Sequence, residues 1–475
     1  MKPSAPRPPR RRRLLAWAAA LLAAYLILGT ALPFVHHKPV GAQYAAQLAS
    51  TEFYAAAPGS ERVACVDGNS DALLWRLRLI GAAQREIILS TFEFHADESG
   101  RDVLSALLAA ADRGVKVRVL IDGLSGFKNL TGNAFFKALA AHPNADVKVY
   151  APLNPALPWQ LQTRMHDKYL IADDSLFLLG GRNTFDLFLG DYVQDQNIDR
   201  ELLVWNTAPA PGSSLAQLRA YFEGVWALGC TKPYTCEHAG KTVRQAAADL
   251  AQRYGGLEEK LGQSLALPDL VPLTLAANKV TLVANPAGPV NKEPWVWHTI
   301  TRLAAGAGDV VIQTPYVICS SEMYGELAAL CAGAGRVRIV TNAVESGANL
   351  FGCTDYLNQK ANILATGAQV YEFSGAHSMH TKTVLVGDRL SLVGSYNMDM
   401  RSTYLDTELM LAVDCKELNA QLRAGAEGQM AQSRVPLAAG GFEYGPAFPY
   451  PEYPAGKRAL HSLMRLVAPL IRHLM

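Results

Sequence analysis

The stretch Met165-His166-Asp167-Lys168-Tyr169-Leu170-Ile171-Ala172-Asp173-Asp174 is followed, after a short apolar run, by Gly180-Gly181-Arg182-Asn183. It recurs as Met379-His380-Thr381-Lys382-Thr383-Val384-Leu385-Val386-Gly387-Asp388 and Gly394-Ser395-Tyr396-Asn397. The offset is 214 residues from His to His (166 to 380) and again from Asn to Asn (183 to 397), so the register does not slip inside the motif. Upstream, EIILSTFEF (86–94), a helical stretch (102–113) and VKVRVLID (115–122) echo DVVIQTPYV (309–317), a helical stretch (322–332) and RVRIVTNA (336–343). Downstream, Asp199-Arg200-Glu201-Leu202 echoes Asp406-Thr407-Glu408-Leu409, with seven more residues before it in the first copy (183 to 199 against 397 to 406).

In each copy, Val-, Ile- and Leu-rich strands alternate with helices. That pattern predicts an α/β sandwich, a mixed sheet covered by helices, built twice. The expected organisation is a basic tip and apolar segment (1–40), a first half (41–205), a helical linker with a Cys230/Cys236 loop (206–280), a second half (281–435) and a tail (436–475).

His166 and Lys168 are two apart, as are His380 and Lys382, and on a strand such residues share a face. A two-residue turn at Asp173-Asp174 would pair Lys168 with Leu179 and His166 with Gly181. The same turn at Gly387-Asp388 would pair Lys382 with Val393 and His380 with Ser395. Gly181 and Ser395 then come beside the imidazoles as substrate-binding positions, with Asn183 and Asn397 close by. Tyr316, at the end of a strand, is expected to line the same cleft.

The grouping suits a phosphodiester. One neutral imidazole can attack phosphorus while the other, protonated, gives its proton to the leaving alkoxide. Lys and Asn donors can hold the non-bridging oxygens. A carboxylate behind each imidazole would fix its tautomer, and Glu408 and Glu201 are the expected carboxylates. The chemistry requires neither metal nor cofactor.

HDKYLIAD with GGRN, and HTKTVLVG with GSYN, resemble the paired HxKx4D…G(S/G)xN signatures of the phospholipase D superfamily. The resemblance covers about 60–415 and implies a duplicated phospholipase D-like α/β sandwich with both motifs at one site. It also implies ping-pong transfer through phosphohistidine, with His166 as nucleophile and His380 as general acid. GGRN, the GSYNMDMRSTYLDTEL stretch and the apolar amino-terminal segment resemble bacterial cardiolipin synthases within that superfamily. One departure stands in the second copy, where the signature Asp falls at Gly387. The hairpin reading puts that position about 16 Å from Lys382, where it shapes a turn, so activity is expected to survive.

The chain has 475 residues, 44 Lys+Arg, 42 Asp+Glu and half apolar composition, which excludes a disordered or collagen-like protein. Residues 1–13 hold six of the basic residues and no acid, so the remainder carries 38 − 42 = −4. That balance is not the basic excess of a nucleic-acid binder, and no nucleic-acid partner is expected. Leu14 to Val35 is 22 residues without a charge, enough for roughly 33 Å of helix. With four arginines before it, the segment reads as a retained anchor that exports the rest; a cleaved signal ending near Gly29-Thr30-Ala31 is the alternative. Cys230 and Cys236 are spaced for a small disulfide loop, or are two unpaired thiols. The last twenty residues read as a basic amphipathic helix, suited either to the lipid interface or to the protein core.

The functional expectation is a phosphatidyltransferase anchored in the bacterial inner membrane with its catalytic part on the periplasmic side. It would make cardiolipin from phosphatidylglycerol, alone or with phosphatidylethanolamine as donor. A hydrolytic phospholipase D is the first alternative and an exported nuclease the second, weakened by the non-basic body. A non-catalytic lipid-binding protein is disfavoured by the intact second motif. The oligomeric state is left open.

Overall fold

The computed structural model describes residues 10–437 and 440–475; the basic tip expected at the amino end lies outside the described residues as far as residue 9. Apolar runs such as Glu86–Thr91 and Val337–Asn342 are buried at nearly every position, as expected of strands covered on both faces. They lie inside two nine-stranded sheets of matching plan.

The first sheet runs Leu275–Ala276, Glu61–Val66, Glu201–Asn206, Leu176–Gly180, Tyr169–Ala172, Glu86–Thr91, Lys116–Asp122, Ala145–Tyr150, Thr231–Pro233. The second runs Lys279–Ala284, Leu409–Asp414, Leu390–Gly394, Thr383–Val386, Val310–Gln313, Val337–Asn342, Gln369–Phe373, Ser433–Pro436, Phe442–Tyr444. In each, three central strands are parallel and their neighbours antiparallel. The duplication read from the motifs is therefore a duplication of the whole sheet.

Alternate side chains of each strand feed different cores. Ile87 and Leu89 pack under the helices of the first half, whereas Ile88 joins Val311, Val340 and Leu385 of the second sheet in a central layer. Helices Ser214–Trp226 and Lys416–Ala431 contribute Phe222 and Leu422 to that layer. Residues 206–280 join the halves and also build the first one, supplying two of its edge strands and Leu250 of helix Lys241–Leu261 to its core.

Both motif hairpins differ from the expected register by one residue. Ala172 pairs with Leu176 and Val386 with Leu390, so each turn holds three residues and Lys168 and Lys382 lie opposite Gly180 and Gly394. Asp173 (φ 51°) and Gly387 (φ 57°) adopt left-handed conformations that open the turn by one position. The expected Cys230–Cys236 bridge is not formed; the structure holds both as free thiols, Cys230 beside a strand edge and Cys236 against the His238 carbonyl.

Helix Arg10–Ala31 carries an exposed apolar surface and, over Arg13–Phe34, is long and apolar enough to cross a bilayer by length and composition, with mean hydropathy 2.0. Its foot is docked on the body. The Tyr25 hydroxyl donates to the Ala156 carbonyl (2.7 Å), and Phe34 is buried in the second core.

Candidate active site

Each histidine is stitched to the returning segment of the opposite half. Met165 bridges Thr407 in parallel, and the His166 N–H donates to Thr407 Oγ1 (3.1 Å). Reciprocally, Ser378–Met379 pairs with Asn197–Ile198, and the His380 N–H donates to the Ile198 carbonyl (2.7 Å). The carboxylates follow the same exchange. Glu408 Oε1 lies 2.8 Å from His166 Nδ1, and Asp199 Oδ2 lies 2.6 Å from His380 Nδ1. With Nδ1 engaged, Nε2 of His166 is left for chemistry, while Nε2 of His380 faces the Lys382 ammonium.

Glu408 thus stands where the sequence put it, but Glu201 does not. Its carboxylate is fully buried and grips the Arg76 guanidinium (2.7 and 2.6 Å), with Arg182 3.9 Å away. The residue behind His380 is Asp199. Glu201 pairs with Gly180, whereas Gly394 pairs with Met410, so Glu201 corresponds to Met410 and Asp199 to Glu408. Matching the starts of the apolar runs at Leu202 and Leu409 sets the copies two residues out of step. A slip of two keeps each side chain on its face, so periodicity does not distinguish the two alignments. The usable signal was the distance from the hairpin strand's terminal glycine.

Gly181 and Ser395 serve the carboxylates rather than the cleft. A Cβ on Gly181 would fall 2.3 Å from Asp199 Oδ1, so glycine there lets Asp199 reach its imidazole. Ser395, fully buried, donates its hydroxyl to Glu408 Oε2 and accepts from the Leu409 N–H (3.0 Å). Asn183 Oδ1 accepts weakly from the Glu93 N–H (3.4 Å). Among the described residues Asn397 Oδ1 is buried with no hydrogen-bond partner, and its Nδ2 donates weakly to Ser402 Oγ (3.4 Å).

Lys168 Nζ donates to its own motif's His166 carbonyl (2.6 Å) and sits 5.3 Å from the Phe92 ring centroid. Lys382 Nζ lies 2.7 Å from His380 Nδ1 and 3.1 Å from Nε2. Two rings that the sequence did not single out wall the site: Phe92 meets His166 edge-on (5.1 Å) and Phe188 meets His380 (5.0 Å). Tyr316 lines a neighbouring cavity of about 390 Å³ with Asp399 and Arg401.

Burial and the two lysines set the electrostatics. Burial and then Lys168 and Lys382 hold His166 well below the ordinary imidazole range. Burial and Lys382 bring His380 down to about 4 against the pull of Asp199. Burial also lowers the ammonium groups, Lys168 to about 7 and Lys382 to about 8. The carboxylates diverge. Burial would raise Asp199, but Lys382 and His380 outweigh it and hold it down to about 2. Burial prevails at Glu408 and pushes it up to about 8, against Lys168 and the Ser395 hydrogen bond. At neutral pH these surroundings favour an ionised acid behind His380 and a protonated one behind His166. An anion placed among these groups would be attracted by the lysines and would raise both imidazoles.

A family model described as "Cardiolipin synthase, PLD-like domain" matches residues 77–226 and 300–428, one block per half and each containing one motif. The chain belongs to the phospholipase D superfamily. Among curated relatives of this superfamily member, cardiolipin synthase A of Escherichia coli is 26% identical over 382 residues, covering 77% of this chain and 68% of that protein. An uncharacterised Helicobacter pylori protein is 25% identical over 435 residues, covering 83% of each. The solved phosphatidylserine synthase of Haemophilus influenzae superposes with a TM-score of 0.62 at 17% identity, over 91% of this chain and 99% of that one, and shares the fold. The protein is thus a phospholipid-modifying enzyme of the phospholipase D superfamily, related to cardiolipin synthases.

Proposed function

We propose that this enzyme is a membrane-anchored phosphatidyltransferase that makes cardiolipin through a phosphohistidine. The observation that carries the reading is the crossed pairing of His166 with Glu408 and His380 with Asp199 around two lysines, in a chain matched by the cardiolipin synthase family model. The phosphodiester of a first phospholipid enters between Lys168 and Lys382, with the amides of Asn183 and Asn397 on its oxygens.

His166 Nε2 attacks phosphorus, forming a P–N bond as the P–O bond to the headgroup alcohol breaks. His380 gives its Nε2 proton to the departing oxygen. The glycerol hydroxyl of phosphatidylglycerol then enters, gives its proton to His380 and attacks phosphorus. The P–N bond breaks and cardiolipin leaves. The assignment of roles is supported by the carboxylates: the ionised Asp199 favours an imidazolium on His380, while the protonated Glu408 leaves His166 neutral and nucleophilic. Helix Arg10–Ala31 would anchor the enzyme in the bacterial inner membrane, with the body on the periplasmic side as the basic residues before it favour.

Lipid profiling of cells without cardiolipin, given the intact chain or its His166→Ala form, tests the reaction. Cardiolipin formed only with the intact chain supports transfer; phosphatidic acid instead would indicate hydrolysis. A radiolabelled adduct trapped on His380 in the His166→Asn chain would reverse the two histidine roles.

A further inference from the structure

The two sides of the site are not alike, and the difference bears on which way a phospholipid lies. The pairings Ser90 with Tyr169 and Gln313 with Thr383 make Tyr316 and Ile318 of the second half the counterparts of Glu93 and His95 in the first. On the first-half side the carboxylate and imidazole of Glu93 and His95 face each other at 3.8 Å, both partly exposed. On the second-half side Tyr316 and Ile318 open instead into the cavity of about 390 Å³, within the range of about 300–1,000 Å³ typical of small-molecule sites.

That cavity adjoins the motif. Val317 and Ile318 pair with Met398 and Asp399, directly after Asn397, and Arg401 in its wall is one of the cations acting on His166. Its remaining apolar lining comes from Phe351 and from the end of the last helix and the turn beyond it, Ile471, Leu474 and Met475. The Met475 carbonyl accepts from the Arg401 N–H (2.9 Å), which ties this end to the motif's own loop.

The outer face of that helix, Ala455–Ile471, continues the apolar surface away from the cavity. Leu463, Leu466, Val467 and Leu470 occupy successive turns of one face and all are exposed, Leu466 to 76% and Leu470 to 74%. The buried contacts of the helix are made elsewhere, by His461 and Ala468. Leu474 and Met475 pack in the same apolar cluster as Phe34 at the foot of the amino-terminal helix. Apolar side chains thus extend from the exposed face of this last helix to the wall of the cavity.

We propose that this cavity receives the acylated glycerol end of the phospholipid, which enters from the bilayer along helix Ala455–Ile471, while the headgroup alcohol lies toward Glu93 and His95. The inference rests on the phospholipid reading above and adds an orientation to it. Arg401, held by Gln162 (2.7 and 2.6 Å), and Asp399 give the cavity polar groups for the ester region, and Phe351, Ile471 and Leu474 give the acyl chain an apolar wall.

The test uses the full chain with His166→Asn, which traps no product, in phosphatidylglycerol vesicles doped with phosphatidylglycerol carrying a diazirine near the start of one acyl chain. After illumination, labelled peptides are mapped by mass spectrometry. Label in 316–318, 349–352 and 471–475 is expected. Adding Phe351→Glu and Leu474→Glu, which places charge in the apolar wall, should lower that label at least about tenfold. Label confined to 10–35 and 460–470, label around Glu93 and His95, an undiminished signal in the charged variant, or no label would each overturn the proposal. Cardiolipin formation by the unsubstituted chain is measured in parallel. If lipid turns over while the cavity stays unlabelled, the orientation alone fails; if no phospholipid turns over at all, the parent reading fails.

Discussion

At the scale of single residues, the site depends on how closely a carboxylate can approach each ring. Asp199→Asn should cut turnover by roughly 10²–10⁴-fold, the span expected when an acid–base group loses its support. Glu201→Gln should act differently. It leaves Arg76 buried without its full partner, a loss of about 3–5 kcal/mol, so Tm should fall while the pH profile of the remaining activity keeps its shape. Melting curves and pH–rate profiles of the two variants separate these outcomes.

Glu408 has the opposite linkage to Asp199. Its acid is raised from 4.5 to about 8, so the stability it contributes is full below about pH 4.5 and drains as pH rises through 8. Glu408→Gln keeps the neutral form throughout. The variant should keep part of its activity, and the wild-type chain should lose Tm relative to it between pH 5 and about 8. A constant Tm difference across that window would contradict the assignment of a protonated Glu408.

At the scale of elements, the hairpin turns explain how a superfamily signature can lose one residue. The Asp173 carboxylate accepts from the N–H groups of Gln84, Arg85 and Glu86 (2.9, 2.8 and 2.9 Å) and so holds the start of the neighbouring strand, far from phosphate. In the second copy Gly387 keeps the same turn, its N–H donating to the Asp309 carbonyl (2.9 Å), while Arg338 and Arg423 gather on the Asp309 carboxylate. Space around Gly387 is open, and aspartate tolerates its positive φ better than most residues. Gly387→Asp is therefore expected to change stability by less than about 1 kcal/mol and activity by less than about twofold. Asp173→Ala, which orphans three N–H groups, should cost about 1–3 kcal/mol. Denaturant titration checks both.

The same elements show what could be read without coordinates. Two HxK motifs with identical internal spacing carry a symmetry that no surface pair would keep, so His166, Lys168, His380, Lys382 and Glu408 were legible. The turn length was not, because Asp-Asp and Gly-Asp suit two-residue turns as well as longer ones, and only the backbone angles at Asp173 and Gly387 decide. Asp199 was hidden by its neighbour Glu201, an acid two residues along on the same face. Phe92 and Phe188 carry no pattern of their own; they matter because of the rings they touch.

At the scale of the whole molecule, the proposed anchor and the site occupy separate parts of the chain. Phe34 and the segment after it are built into the second core, whereas the apolar surface of the preceding helix is exposed. Removing residues 1–31 should release the enzyme from membranes in flotation assays, with Tm changed little and a short-chain phosphodiester still turned over.

The exchange of carboxylates between copies has a genetic consequence. Damage to either repeat strikes both histidines at once, because the surviving motif keeps its imidazole and loses its acid. A frameshift after the first copy would therefore leave no half-speed enzyme. Two chains with lesions in opposite repeats could restore each other only by trading entire domains, never by merely touching.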